Sequence, residues 1–226
     1  MSTMSPEPYR VDGALLRKDA VVVALIALDV LFGLAAWSRM PARVPIHWDA
    51  AGQVNGWGPS WVNAFLPPGI AILLYLTFLY VPLVDPHHRN YAAFAGPLRG
   101  LRLLVVAFLV FVHVLVVLVS LGVAVSMGVA MRAGLPLLFA GIGAILPGLR
   151  QNWFFGIRTP WTLAKEEVWT RTHALAGRMW TRGGVALAFG AALPPRPGLA
   201  ALVGGIVVLV LVPVVYSAVI YRRLSP

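Results

Sequence analysis

Apolar and polar positions along this chain fall into long blocks rather than a period-two alternation. Runs of about 20 apolar residues, the length a helix needs to cross a bilayer, alternate with short polar stretches. Six segments fit: Lys18–Trp37, Trp61–Val84, Leu101–Val125, Ala133–Leu149, Met179–Leu193 and Leu199–Tyr221. The fifth is short against a working range of about 17–25 residues. Pro194, Pro195 and Pro197 follow it and predict a tight turn into an antiparallel sixth helix. The first block lacks a small-residue cleavage pattern before Trp37 and Arg39, so it reads as a retained anchor. The expected fold is all-α, a polytopic integral membrane protein of six transmembrane helices. Residues 1–17 form a polar N-terminal segment, frayed over its first dozen residues, and 18–226 the membrane domain.

Composition narrows the class further. Hydrophobic residues make up 59% of the 226 and charged residues 12%, against about 45–50% and about 25% in globular domains. An ordinary soluble domain is excluded. Cysteine is absent, which excludes disulfides, Cys-ligated zinc, iron–sulfur clusters and thiol catalysis. The net charge is +10, and its distribution decides orientation. Of 18 Lys and Arg, 14 lie beside the same set of segment ends, leaving Arg39, Arg43, Arg132 and Arg196 on the other side. The positive-inside bias predicts both termini in the cytoplasm. It also accounts for the charge without nucleic acid, and membrane lipids with anionic headgroups are the expected partners.

Specific chemistry is confined to three polar segments: an outer loop at 38–60, a cytoplasmic connector at 85–100 and a cytoplasmic loop at 150–177. In the last, Gly156 permits unusual backbone angles and Pro160 pins a helix entry. Thr159 or Thr162 can cap that helix, with Glu166 and Glu167 near its positive end. Trp169, His173, Ala176 and Trp180 share one helical face, on which the tryptophans suit an interfacial anchor. Asn152 is expected to end the fourth span by bonding its free carbonyls. Arg158 is expected to clamp the loop, on Glu166, Glu167 or Asp85, with a ligand-binding role as the sharper reading.

In the outer loop, His47 and Asp49 have the spacing of two metal ligands, but zinc wants three or four. A turn-stabilising hydrogen bond for His47 is the simpler expectation, and neither metal nor cofactor is expected. Trp48, Trp57 and Trp61 interspersed with glycines suggest a compact loop on the outer interface. Inside the bilayer, Asp29 and His113 sit near the middles of spans one and three, at similar depth. A charged group there needs a protein partner, so the two are expected to hydrogen-bond across helices, for packing or for a proton path. No catalytic set, phosphate loop or H-E-x-x-H pattern occurs, and an enzyme is not expected.

One family resemblance covers nearly the whole chain. The string Asn152-Trp153-Phe154-Phe155-Gly156-Ile157-Arg158-Thr159-Pro160-Trp161-Thr162-Leu163 leads it, with Glu166, Val168 and Trp169, then His173, Gly177 and Trp180. It resembles the signature of the SdpI family, bacterial membrane proteins named for immunity to a secreted peptide toxin. The stretch from Pro45 through His47, Trp48, Asp49 and Gly52 to Trp57 resembles a short module of unknown function that often precedes that signature. Asp85-Pro86, Asn90-Tyr91 and Phe94 resemble the family's connector between helices two and three. The resemblance implies six helices in the bacterial cytoplasmic membrane. It implies immunity or sensing: binding or excluding a secreted antimicrobial peptide, with signal transduction to a cytoplasmic regulator as a further step. A small proton- or ion-coupled transporter or export component, and then an intramembrane enzyme, are the competing readings.

Overall fold

A computed structural model describes residues 9–224. Residues 1–8 of the expected polar N-terminal segment lie outside the described residues. Asp12 caps a short helix, α1 (Gly13–Lys18), by accepting from the Leu15 amide. Asp19 then joins it to α2 (Ala20–Trp37).

The segment expected as an outer loop is an antiparallel hairpin of β1 (Arg43–Trp48) and β2 (Val54–Pro59), a small β element in an otherwise helical fold. Next come α3 (Ser60–Val84), a 3-10 turn at His88–Phe94 and α4 (Ala95–Ser120). α5 (Met127–Ile145) starts six residues before the expected fourth span because Ser126 caps it. Most of the expected loop at 150–177 is helical: α6 (Pro160–Ala164) and the first half of α7 (Glu166–Ala188). The last element is α8 (Pro195–Leu224).

The helices form two groups of three. α2, α3 and α4 pack on one another, α5 packs with α7 and α8, and α4 against α5 joins the groups. Five helices are long and apolar enough to cross a membrane: α2, α3, α4, α5 and α8, the α4 stretch counted from His88 and the α5 stretch to Gly148. Their outward faces carry Leu28, Leu31, Leu73, Val84, Val207 and Leu211, a surface that suits lipid rather than water.

α7, which holds most of the expected fifth span, is not among the five. Met179–Ala188 is the second half of an amphipathic helix, not a separate apolar one, because Arg171, Arg178 and Arg182 line its exposed face. Its other face lies antiparallel against α5. Gly177 meets Pro147, Gly143 meets Thr181, and Gly184 meets Pro136 and Ala140. A Cβ at Gly184 would lie 2.4 Å from the Pro136 carbonyl oxygen, so the two backbones can approach this closely only without one. The largest apolar cluster joins the two groups near the 150–159 loop, with Tyr91, Phe94, Leu98, Leu146, Phe155 and Trp169 fully or nearly buried.

Candidate functional site

The site-bearing residues divide between the two ends of the bundle, with a line of buried polar groups between them. At the loop end, Asp85 is the organiser. Its side chain is buried; Oδ1 accepts from the His87 amide at 2.7 Å, and Oδ2 from the Tyr91 hydroxyl at 2.6 Å and the Trp153 amide at 2.9 Å. Asn152 does not cap α5, contrary to expectation. It folds its own turn: Oδ1 accepts from the Phe154 and Phe155 amides, and Nδ2 donates to the Arg150 and Phe155 carbonyls. Gln151 donates to the Thr162 and Leu163 carbonyls of α6, covering helix-end acceptors that would otherwise be bare. Phe155 packs edge-on against Phe78, with ring centroids 5.2 Å apart.

Gly156 has φ +102°, a left-handed conformation that glycine adopts without strain. This aims the Ile157 amide at His173 Nε2, 3.0 Å away. His173 Nδ1 faces the Trp169 carbonyl at 2.8 Å, so the neutral ring protonated on Nδ1 satisfies both contacts. Burial pushes the His173 pKa down to about 4, opposed by the bond to the Trp169 carbonyl. Trp169 is a core residue, not an interfacial anchor. It is 1% exposed, stacks on His173 at 4.0 Å and donates to the Leu149 carbonyl. Half-buried Trp180 likewise donates to the Leu209 carbonyl.

Thr159 and Thr162 form a capping box at the start of α6, with Pro160 in its first turn. The Thr159 hydroxyl also meets that of Ser217 on α8 at 3.0 Å, and Trp161 is half-buried beside it in sequence. Arg158 clamps no carboxylate among the described residues. It is exposed and donates to the Trp153 carbonyl at 2.8 Å, because Asp85 is fully engaged and Glu167 pairs with Arg171. The exposed surface here is Trp153, Phe154 and Arg158.

Within the helices, the Asp29 carboxylate meets His113 Nδ1 at 2.7 Å, linking α2 to α4. Asp29 Oδ2 and His113 Nε2 have no hydrogen-bond partner among the described residues. Toward the loop end, Asp19 and Arg102 form a second buried pair, with contacts of 2.7 and 3.0 Å and the Tyr75 hydroxyl 3.4 Å from Asp19. Toward the hairpin, Asn63 donates to the Pro45 carbonyl and to Ser120 Oγ, both at 2.8 Å. The sequence reading missed Asp19, Arg102, Asn63 and Ser120. The available signal was scarcity: only eight acidic residues occur in the chain, and three of them, Asp19, Asp29 and Asp85, are buried.

At the hairpin end, the signature positions shape a turn. Asp49 Oδ1 accepts from the Ala51 and Gln53 amides, and Gly52 turns the chain at φ +83° against Gly128 of α5. His47 Nδ1 bonds the Asn55 side chain. Among the described residues no three His, Asp or Glu side chains converge in a metal-ligand geometry. Pro45 is buried, Trp48 half-buried, and Trp57 and Trp61 stand exposed. Beneath the hairpin lies a cavity of about 350 Å³, bounded by α4, α5 and α8 and lined mostly by apolar side chains, with Arg132 in its wall.

Comparison with known proteins places these regions. Residues 148–217, from the end of α5 through α7 into α8, match the SdpI/YfhL protein family. Residues 24–72, which carry α2, the hairpin and half of α3, match a domain of unknown function, DUF1648. The immunity protein SdpI of Bacillus subtilis (strain 168) is 22% identical over 169 residues, covering 73% of this chain and 76% of that protein. No solved structure matches. The signature loop folded around Asp85 and His173 is thus the part of this chain that is similar to the SdpI/YfhL family, and the hairpin lies in the part similar to DUF1648.

Proposed function

We propose that the protein confers immunity to a secreted antimicrobial peptide by receiving it at the hairpin end, and that the loop end holds the state of the bundle for a cytoplasmic partner. The hairpin end then faces outward in the bacterial cytoplasmic membrane, both termini lie inside, and Met179–Leu193, the second half of α7 and the turn after it, is the sixth crossing. One observation carries this reading. The hairpin end presents exposed Trp57 and Trp61 and, separately, an open, largely apolar cavity lined by Ile46 and Trp48, while it is anchored to the helices by the Pro45–Asn63–Ser120 contacts. Exposed aromatics at the same end as an apolar recess suit an amphipathic peptide, which binds through buried aromatic and aliphatic anchors. Similarity to a protein named for immunity supports the same role.

The test is protection. Expressed in a sensitive bacterial strain and challenged with a panel of membrane-active bacterial peptides, the wild type should raise the inhibitory concentration of at least one. His47→Ala should weaken that protection at unchanged protein level, as should Arg158→Ala if the loop contributes. A wild type that protects against none contradicts the proposal. Sidedness has its own check: Ala50→Cys should react with an impermeant thiol reagent on intact cells, and Ala164→Cys should not.

A second reading rests on Asp29 and His113, whose outer atoms lack partners inside membrane-crossing helices. Such pairs mark proton relays. Proton-coupled solute counterflow in vesicles, abolished by Asp29→Asn, would favour transport over immunity.

A further inference from the structure

Arg132 lies in the second turn of α5 and is only 5% exposed. Its Nε has no hydrogen-bond acceptor among the described residues, and none of the ion pairs found there includes it. The side chain runs beside Gly198 in the first turn of α8, where a Cβ would stand 3.1 Å from Nε. A guanidinium this buried is strongly unfavourable without a counter-charge. Asp49 lines the same cavity, but its Oδ1 is committed to the Ala51 and Gln53 amides. The N-termini of α5 and α8 open at this end and add positive dipole ends.

The rest of the wall is apolar and belongs to membrane-crossing helices: Val112 and Val116 on α4, Met131 on α5, Leu199 and Leu202 on α8. These residues lie within about two turns of their helix ends, roughly 6–12 Å along the axis, the depth at which a bilayer changes from headgroup to acyl chain. We propose that this cavity binds the phosphate of one anionic phospholipid, held by Arg132, with the start of its acyl chains against α4, α5 and α8. About 350 Å³ accommodates that much of a lipid and not a folded peptide. The surrounding bilayer supplies such an amphiphile at high local concentration.

The experiment uses the full chain, purified in detergent, stripped of lipid and titrated with phosphatidylglycerol, phosphatidylcholine or inorganic phosphate. Native mass spectrometry and thermal unfolding are the readouts. The wild type should retain one phosphatidylglycerol under conditions that remove phosphatidylcholine, with a matching rise in Tm. Arg132→Met should lower that occupancy at least tenfold, and Arg132→Lys should keep part of it. Lipid-free Arg132→Met should melt no lower than lipid-free wild type, since an unpaired buried charge has been removed. Equal retention of the two lipids, or equal occupancy in wild type and Arg132→Met, would overturn the proposal. So would full stabilisation by phosphate alone, or binding of an apolar peptide carboxylate in preference to phosphatidylglycerol. If Arg132→Met does not fold, the wild-type lipid and phosphate arms still decide the matter.

Discussion

At the loop end, one buried carboxylate, Asp85, takes three donors from two chain segments, and His173 satisfies both ring nitrogens at once. At the hairpin end, the buried Arg132 has no partner for its Nε, the Asp49 carboxylate serves only its own turn, and two tryptophans stand in the open. The first arrangement is closed. Its polar groups hold α3, the 150–159 loop and α7 in a single geometry, and buried networks of this kind rigidify when fully satisfied. The second is open, with unmet polarity and uncovered apolar area, the features expected where something else must bind. On the proposed function the contrast gives stability to one end and recognition to the other, and mutations should separate the two.

The largest effect should come from Asp85→Ala. It strands the Tyr91 hydroxyl and the Trp153 and His87 amides, at about 1–3 kcal/mol for each unsatisfied buried group, so a total loss of at least roughly 3 kcal/mol is expected. Thermal unfolding in detergent and steady-state membrane level report it. Asp49→Ala, the matched change at the hairpin, should cost about 1 kcal/mol or less, because its partners are exposed amides that water can satisfy. Similar losses for the two would erase the distinction between the ends.

Parts of this architecture are written plainly in the chain. Apolar blocks locate α2, α3, α4, α5 and α8, because each meets lipid over much of its surface and must be apolar there. Of α7 only the second half is legible in this way, as the short block at Met179–Leu193, because α5 and α8 cover one of its faces and the other, carrying Arg178 and Arg182, need not be apolar throughout. Thr159, Pro160 and Gly156 were legible as local backbone devices, since capping and a positive φ depend on near neighbours. Pairings across the fold were not. Asp19 and Arg102 are 83 residues apart, and Arg102 counted as one more basic residue at a helix end. Asn152 and Arg158 were singled out from the sequence, but their partners proved to be nearby backbone groups rather than the helix end or the carboxylates expected.

A pH titration should give the next effect. Unfolded, a histidine binds its proton near 6.5; folded, His173 resists protonation down to about 4. Between those values the unfolded chain holds more protons, so the contribution of His173 to stability is full above about 6.5 and is lost as the pH falls toward 4. The full amplitude is about 3 kcal/mol. Protonation would also set an N–H against the Ile157 amide, opening the Gly156 turn. Urea unfolding in detergent at a series of pH values measures the slope, and His173→Gln, whose amide oxygen can still accept from Ile157, should flatten it. A wild-type slope unchanged by that substitution would mean that the loop end is not held in the way described.

The smallest effect on stability, and the one that most sharpens the comparison, is expected at Trp57. The residue is 55% exposed on β2, and no hydrogen bond found among the described residues uses its indole. Exposed substitutions of this kind usually stay within about 0.5 kcal/mol, so Trp57→Ala should leave Tm and membrane level close to wild type. If the hairpin end receives an amphipathic peptide, the same change should reduce protection at least several-fold, because aromatic anchors carry a disproportionate share of binding energy. Trp57→Phe should restore part of it by keeping the ring. Binding without stability at Trp57, set beside stability without ligand contact at Asp85, is what two ends with separate tasks require. Loss of protection that merely tracked loss of protein would return Trp57 to an ordinary membrane-interface role.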